Sequence, residues 1–422
     1  MAIDTIGTNA IANDAVNAAK IAAGAVDADI TAIPDGSVST AKLADNAVTG
    51  AKLYAENLGR RNIVINGDMT INQRYDSAAF TRTNQGGFGL DRYELAQIGT
   101  TGSPSVQVER VVDAPSGSGF YYSQKVTVVS AASGYASTDH NLLQTKFEGL
   151  NTKHLLWGTS DAKTCTVSFW VKSSLTGTFS YYCIDGDASG GASYIAPYTI
   201  SAANTWEKKT ITIPGPTSGG VSEFPIDSSR SLYTGWNLGT GTDHQNATTN
   251  SWVYGTSTWV NSTSSTVKLM DTVNATFQVT GHQFEVGDTA TDFEHRSYGE
   301  ELALCQRYCY QHMEANGGTG SGNSTEDIVC TASCYDSNTA YGIIQMPVTM
   351  RVAPTLDSHG GTNYWKFYNN GGVGTFNTFA IINATRTSVQ IYNNQNIGLT
   401  AGQSGNFQGG NTGNYIRFIA EL

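Results

Sequence analysis

The sequence predicts a mainly β protein with a repeat-built N-terminal trimeric shaft, a central antiparallel jelly roll or β-sandwich, and a C-terminal β-sandwich. Three observations support this prediction. Large aliphatic residues recur every five positions through residues 1–58, and short alternating apolar and polar segments follow to the end of the chain. Gly (46), Tyr (21) and Phe (15) are abundant, whereas 14% of residues are charged, which is typical of β-structure with polar turns.

Residues 1–58 contain ten-residue units such as DAVNAAKIAA (14–23), GSVSTAKLAD (36–45) and NAVTGAKLYA (46–55). Residues five apart do not lie on one face of a helix, nor on one face of a strand. We therefore expect a backbone that bends repeatedly and several chains that share one axis. The predicted shaft contacts are Ile6, Ile11, Val16, Ile21, Val26, Val38, Leu43, Val48, Leu53 and Leu58. A disordered Ala-rich leader is the alternative interpretation.

The segment 59–296 is predicted to be the jelly roll. Its short alternating segments are separated by Gly, Ser, Asn and Pro, and helical periodicity is absent, as in antiparallel sandwiches. The predicted strands cover residues 62–71, 104–112, 121–129, 164–172, 177–184, 208–214, 265–270 and 275–287.

Residues 297–316 are predicted to form a helical connector, because Leu302, Cys305, Gln306 and Cys309 recur at three- and four-residue spacing. Residues 317–422 then form the C-terminal β domain, which we expect at the distal tip. Its predicted strands cover residues 341–350, 365–369, 379–384, 388–393 and 415–422.

Charge and motif content exclude several functions. The net charge of −11, without a basic cluster, argues against nucleic-acid binding. No stretch reaches 18 apolar residues, so we expect no membrane span. Signal-peptide features are missing from the N-terminus, and we expect assembly in a cytoplasm. The sequence lacks H-E-x-x-H, P-loop and G-x-S-x-G motifs, so we expect no enzyme.

Two sequence patterns suggest metal binding. Asp185, Asp187 and Ser189 alternate before Gly190, which resembles the first half of a calcium loop, although a hairpin loop explains the pattern equally well. Calcium is therefore the one cofactor considered. Two C-x3-C units also occur, and buried thiols are favoured over a zinc site, which prefers C-x2-C knuckles. These units contain Cys305, Cys309, Cys330 and Cys334.

An aromatic-rich stretch over residues 233–260 is the candidate binding segment. Flat rings beside amide and hydroxyl groups are suited to stacking on sugars and selecting their hydroxyls. Packing of the rings at the end of the sandwich, or against another protomer, is the alternative. The candidate glycan-binding residues are Tyr233, Trp236, Trp252, Tyr254 and Trp259.

Several segments resemble virion proteins of marine tailed phages. The decapeptide repeats resemble those near the start of phage tail fibres, and NIVINGDMTINQRY followed by FGLDRYEL resembles an opening shared by such virion proteins. VSFWVKSSLTGTFSYY, ANTWEKKTITIPG and residues 277–308 resemble later parts of the same module, which is similar to a carbohydrate-binding-module jelly roll. QMPVTMRVAPTL and IRFIAEL resemble the terminal β domain of these fibres.

This resemblance implies a homotrimeric tail-fibre or receptor-binding protein of the virion that recognises a bacterial surface glycan. Attachment to other tail or adaptor proteins is then expected through the N-terminal segment. A head decoration fibre or knob, or another virion structural protein, is the first alternative. A glycan-degrading tailspike is the second, and it usually carries a long β-solenoid with paired acids, a repeat that is not evident after residue 58.

Overall fold

The computed structural model confirms the mainly β class, with several antiparallel sheets. The predicted shaft contacts, from Ile6 to Leu58, lie outside the residues that the structure describes. Residues 60–422 form one compact unit. The described residues are 60–75, 80–83, 86–98, 104–186, 191–256, 258–313, 327–370, 372–393, 395–410 and 414–422.

Thirteen strands of the described residues form the two sheets of the first part. In chain order they are β1 (Phe80–Thr83), β2 (Gly87–Phe88), β3 (Glu94–Ile98), β4 (Ser105–Val111), β5 (Ser123–Ser130), β6 (His140–Glu148), β7 (Cys165–Ser173), β8 (Gly177–Asp185), β9 (Ala192–Ile200), β10 (Glu207–Ile213), β11 (Arg230–Thr240), β12 (Trp252–Tyr254) and β13 (Thr276–Val286). Short helices α1 (Gly149–Thr152) and α2 (Gly220–Glu223) and 3₁₀ turns at Lys153–Leu155, Thr242–His244 and Leu269–Asp271 lie in the loops.

These strands form a six-stranded sheet in the order β1-β4-β5-β13-β7-β10 and a seven-stranded sheet in the order β12-β9-β8-β11-β6-β3-β2. One hydrophobic core combines inward side chains of the two sheets, including Phe169 from β7 and Trp236 from β11. Because side chains alternate along a strand, the second face of the seven-stranded sheet is directed away from this core. That second face carries the candidate site.

The strand predicted over residues 62–71 is wrong, and the cause is local hydrogen bonding by asparagine. Asn62 Oδ1 accepts from the Val64 amide at 3.0 Å, and Asn66 Oδ1 accepts from the Ile71 amide at 2.8 Å. Asn66 has a φ of 62°. Asparagine side chains that bond to nearby backbone favour turns over strands. The segment therefore forms turns that pack beneath β13.

The second part begins with helix α3 (Tyr298–Gln306), which the Ser297 side chain caps by accepting from the Glu300 amide. This helix is shorter than predicted, because Cys309–Met313 already pairs as a strand. Ten further strands follow: β14 (Cys309–Met313), β15 (Ile328–Cys334), β16 (Ala340–Gln345), β17 (Thr355–Ser358), β18 (Trp365–Asn369), β19 (Gly372–Phe376), β20 (Phe379–Ala384), β21 (Ser388–Asn393), β22 (Ser404–Gly409) and β23 (Ile416–Ile419).

These strands form a three-stranded sheet, β14-β23-β17, and a seven-stranded sheet, β19-β18-β22-β15-β16-β21-β20. A second hydrophobic core contains Trp365 and Phe407 from the larger sheet and Phe418 from the smaller one. The two parts of the chain thus have separate cores and are both antiparallel.

Buried charges join the two parts. Glu421 bonds to Arg74, with 2.8 Å between Oε1 and Nη2, and to Arg92. Glu148 bonds to Arg307, with 2.9 Å between Oε2 and Nε. Burial alone would raise the pKa of Glu421, but the charges of Arg92 and Arg74 outweigh it and hold that pKa below its usual range.

In the part of the chain that the structure describes, no helix is long and apolar enough to cross a membrane.

Candidate functional site

A groove of about 300 Å³ lies on the outward face of the first seven-stranded sheet. It crosses strands β3, β6, β8 and β11 and is closed on one side by the segment after β12. Its lining residues are Glu94, Ala96, Ile98, His140, Leu142, Gln144, Lys146, Ile184, Tyr233 and Trp259. We call this site the sheet groove.

Strand register explains how the lining is assembled. Tyr233 of β11 pairs with Lys146 of β6 on one side and with Ile184 of β8 on the other. Gln144 of β6 pairs with Glu94 of β3. Alternate residues of paired strands share a face, so these side chains form one continuous surface.

Aromatic and aliphatic side chains give the sheet groove an apolar floor. Tyr233 and Trp259 are half-buried and pack against a small cluster formed by Leu142, Tyr182 and Ile184. This cluster is separate from the main core, so the sheet has apolar residues on both faces. A concave apolar surface with a few polar groups beside it is typical of a ligand site.

The polar groups of the sheet groove are held in fixed positions. The Tyr182 hydroxyl donates to Gln144 Oε1 at 2.8 Å, and Gln144 Nε2 donates to Glu94 Oε2 at 2.8 Å. Lys146 Nζ lies 2.9 Å from the same Glu94 oxygen. This chain of contacts fixes the orientation of the Gln144 amide. It also places hydrogen-bond donors and acceptors alternately along the groove.

Two histidines support the Trp259 ring. The His244 ring stacks on it with 4.1 Å between centroids, and the His140 ring meets it edge-on at 4.9 Å. His244 Nδ1 also lies 3.0 Å from the Trp259 carbonyl oxygen. Burial and, secondarily, the neighbouring charge of His244 lower the pKa of His140 to about 4. Trp259 is therefore held rigidly, which lowers the entropy cost of binding a ligand against it.

The structure brings two of the five predicted aromatic residues together. Tyr233 and Trp259 line the sheet groove, whereas Trp236 lies fully buried in the main core and cannot contact a ligand. The Trp252 ring packs on Trp157 and its Nε1 donates to the Pro214 carbonyl at 2.7 Å.

Tyr254 is 41% exposed on β12 but is not among the residues that line the sheet groove. It is therefore a suitable control residue for binding experiments on Tyr233 and Trp259.

Sequence reasoning missed Glu94, His140, Leu142, Gln144 and Lys146. The alternation in HNLLQTKFE (140–148) was the available signal, since Leu142, Gln144 and Lys146 occupy every second position. Their function depends on pairing with β3 and β11, which are distant in sequence.

The calcium prediction falls largely outside the described residues, because Asp187 and Ser189 are not described. Asp185 is buried at the end of β8, where its Oδ2 accepts from the Ala192 amide at 2.6 Å. Its carboxylate thus connects the end of β8 to the start of β9. No group of three or more His, Cys, Asp or Glu among the described residues is arranged to hold a metal ion.

The six cysteines are free thiols, and all except Cys330 are buried. Burial raises the pKa of Cys309 to about 12 and that of Cys330 to about 12. Such thiols are unreactive and pack as small apolar side chains.

No family model matches the chain, and no curated protein matches it. Similar solved structures include the enzymatically active domain of tailspike protein 4 from bacteriophage CBA120 (13% identity, 54% of this chain and 21% of that one, TM-score 0.31). The chain therefore spans about a fifth of that structure's length.

Two carbohydrate-binding modules are also similar. One is the family 11 module of Clostridium thermocellum in complex with a mixed-linked β-1,3-1,4 tetrasaccharide (13% identity, 52% of this chain and 100% of that one, TM-score 0.24). The other is the xylan-binding domain CBM22-1 of Paenibacillus barcinonensis Xyn10C (11%, 51% and 99%, TM-score 0.23). TM-scores below 0.5 establish no function for this chain.

Proposed function

We propose that this chain is a homotrimeric structural protein of a phage tail fibre that binds a bacterial surface glycan in the sheet groove. The groove carries the glycan-binding part of this proposal, because Tyr233 and Trp259 present aromatic rings beside the ordered row of Glu94, Gln144 and Lys146. Rings of this kind stack on the C–H faces of sugars, and the polar row offers partners for hydroxyl groups.

The composition of the sheet groove favours binding without hydrolysis. Most glycoside hydrolases use a pair of carboxyl groups on either side of the scissile bond. Glu94 is the one carboxylate among the described residues that line the groove, and Lys146 and Gln144 already engage it. A purified chain that released reducing sugar from a bound polysaccharide would contradict this part of the proposal.

The sequence supports the fibre part of the proposal. Ten-residue repeats in residues 1–58 suit association of three chains, and three grooves on one axis would multiply weak contacts by avidity. Attachment to a tail or adaptor protein is assigned to the same segment.

The position on the virion can be determined by imaging purified particles labelled with antibody against residues 317–422. Label at the tips of tail appendages is the expected result. Label over the head would indicate a decoration fibre and overturn the tail assignment.

The groove is tested by binding of the full chain to an array of purified bacterial surface polysaccharides, with Tyr233→Ala and Tyr254→Ala compared on the best ligand. Loss of one stacking ring corresponds to roughly 1 kcal/mol, so Tyr233→Ala is expected to weaken binding about five- to tenfold. Tyr254→Ala removes an equally large and more exposed ring outside the groove and should leave affinity unchanged. Equal affinity of all three proteins would refute the groove as the site.

A further inference from the structure

His244 contacts two carbonyl groups, one through each nitrogen of its ring. Nδ1 lies 3.0 Å from the Trp259 carbonyl oxygen, and Nε2 lies 3.1 Å from the Thr138 carbonyl oxygen. A carbonyl oxygen only accepts hydrogen bonds, so each ring nitrogen must carry a proton to make its contact. A neutral imidazole has one N–H group and one lone pair, whereas the imidazolium cation has two N–H groups. The geometry therefore fits the cation.

A neutral His244 ring would leave one of the two contacts repulsive. Its unprotonated nitrogen would direct a lone pair at a carbonyl oxygen, away from water, because His244 is 5% exposed. A buried polar group without a partner costs more than an ordinary hydrogen bond contributes. Protonation makes both contacts charge-assisted hydrogen bonds. The indole of Trp259, which stacks on the ring, offsets part of the cost of burying the charge.

The neighbouring histidine is neutral, so one ring of the pair carries the charge. The His140 and His244 rings meet edge-on with 5.1 Å between centroids. Burial and, secondarily, the charge of His244 lower the pKa of His140 to about 4. His140 Nδ1 is buried without a partner among the described residues, as expected for a nitrogen that keeps its lone pair. Negative charge near the pair comes from Asp139 and Glu94, which act on His140, and from Asp243, which precedes His244.

His244 fastens the segment that carries Trp259. Its ring covers one face of the indole, with 4.1 Å between centroids and 24° between planes. Its carbonyl accepts from the Asn261 amide at 3.0 Å, and Thr258 Oγ1 donates to the Asp243 carbonyl at 2.8 Å. His244 is not among the described residues that line the sheet groove, so it acts on a ligand through Trp259. Loss of its second ring proton would remove one carbonyl bond and the attraction of a cation to the indole.

We propose that His244 is a positioning residue for glycan binding and holds Trp259 in place as a buried imidazolium between two carbonyl groups. This inference rests on the proposed function, because it concerns the same groove, but the protonation of the ring can be measured without a ligand. Glycan binding should weaken as the pH rises, because His244 then loses a proton that holds Trp259. His140 does not produce this trend, since it is already neutral at neutral pH.

The first experiment measures the protonation of the ring by NMR. Residues 60–422, which form one compact unit with both hydrophobic cores, are labelled with nitrogen-15, since protonated and unprotonated ring nitrogens differ clearly in chemical shift. His244→Gln assigns the His244 signals by removing them. At pH 7 we expect two protonated nitrogens in His244 and one in His282, whose pKa burial lowers to about 3. An unprotonated nitrogen in His244 at pH 7 would overturn the proposal.

The second experiment measures the affinity for the best polysaccharide of the array between pH 6 and 9. Wild type should lose affinity about two- to tenfold where His244 loses its proton, because the Trp259 side chain must then be ordered on binding. His244→Gln should bind about two- to tenfold more weakly at pH 6 and show no such loss. His295→Gln is the matched control, because His295 is exposed and is not among the groove residues, and it should keep the wild-type profile.

Equal binding of His244→Gln and wild type at pH 6 would overturn the positioning role. Constant wild-type affinity while His244 loses its proton would also overturn it. If no polysaccharide binds, the proposed function fails, and the indole N–H signal of Trp259, assigned with Trp259→Phe, still tests the coupling. That signal should shift in step with the His244 ring signals, and a signal that does not respond would contradict the coupling. The two proposals therefore fail separately.

Discussion

Two seven-stranded antiparallel sheets of this chain present outward faces with opposite chemistry. The first face has charged side chains that are already paired, as Glu94 is with Lys146, around half-buried rings. The second has exposed tyrosines and aliphatic residues, and Lys366 is the one charge on its strands. Side-chain parity along each strand therefore decides which residues each face presents.

The comparison shows why shape and charge must be read together. A concave site with fixed polar groups suits a small hydroxylated ligand, because orientation is selected by hydrogen bonds. Three substitutions test the packing that supports the two faces, and their expected effects on stability fall from about 4 to about 1 kcal/mol.

Trp236→Ala tests the inward side of β11 and should have the largest effect on stability. Trp236 is fully buried, and its ring lies 4.8 Å from that of His282 and 5.3 Å from that of Phe169. Deleting a buried indole leaves a cavity, so we expect a loss of about 4 kcal/mol in the free energy of unfolding, measured by urea denaturation. Tyr233→Ala, three residues away and directed outward, should cost about 1 kcal/mol or less. Equal losses would mean that the inward and outward assignments on this strand are wrong.

Glu421→Gln tests the connection between the parts that carry the two faces. The variant removes the carboxylate that pairs with buried Arg92 and leaves Arg74 paired with Asp91, 3.7 Å away, so we expect a loss of about 3 kcal/mol in unfolding free energy. The pKa of Glu421 is lower in the folded state, so this stabilisation is present above the unfolded pKa and disappears as the pH falls through the folded value. Denaturation at neutral and acidic pH should therefore show the wild type approaching the variant in acid. A constant difference across that range would contradict the ionised pairing.

His282→Gln tests the interior of the first sandwich and should have the smallest effect. His282 is fully buried between the hydroxyls of Tyr93 and Tyr181, at 3.0 and 2.9 Å, and burial lowers its pKa to about 3. The unfolded chain binds a proton near pH 6.5 and the folded one does not, so stability is lost as the pH falls below 6.5. One such group removes about 1 kcal/mol between pH 6.5 and 5.5.

Unfolding of His282→Gln measured across this range should depend less on pH than unfolding of the wild type. An unchanged slope would show that His282 is protonated in the folded state. His140, whose pKa is lowered to about 4, contributes a slope of the same sign in both proteins.

Much of the fold could be predicted from the sequence, because alternation marks a strand wherever one face is buried. Strands β4, β5, β7, β8 and β13 lie within one or two residues of their predicted positions. Residues 265–270, predicted as a strand, instead lead into a 3₁₀ turn at Leu269–Asp271. Strand β11 is absent from the predicted strands, because Gly235, Gly239 and its Thr and Asn residues weaken the alternating pattern.

The candidate site was predicted only in part, for a physical reason. The odd spacing between Tyr233 and Trp236 places them on opposite faces of β11, and this follows only once the segment is known to be a strand. The polar partners Glu94 and Gln144 meet through strand pairing across 50 residues. Register between distant strands is set by the whole sandwich, and a single sequence does not reveal it.

The most direct test of the contrast between the two faces is the affinity of residues 60–422 for an oligosaccharide short enough to occupy one groove, taken from the best polysaccharide on the array. Tyr233→Ala, on the first face, should lose affinity about five- to tenfold. Ile343→Glu, on the second face, replaces a side chain that is 59% exposed on β16 and should leave the affinity unchanged. Equal loss in both variants, or no loss in Tyr233→Ala, would contradict the assignment of glycan binding to the sheet groove.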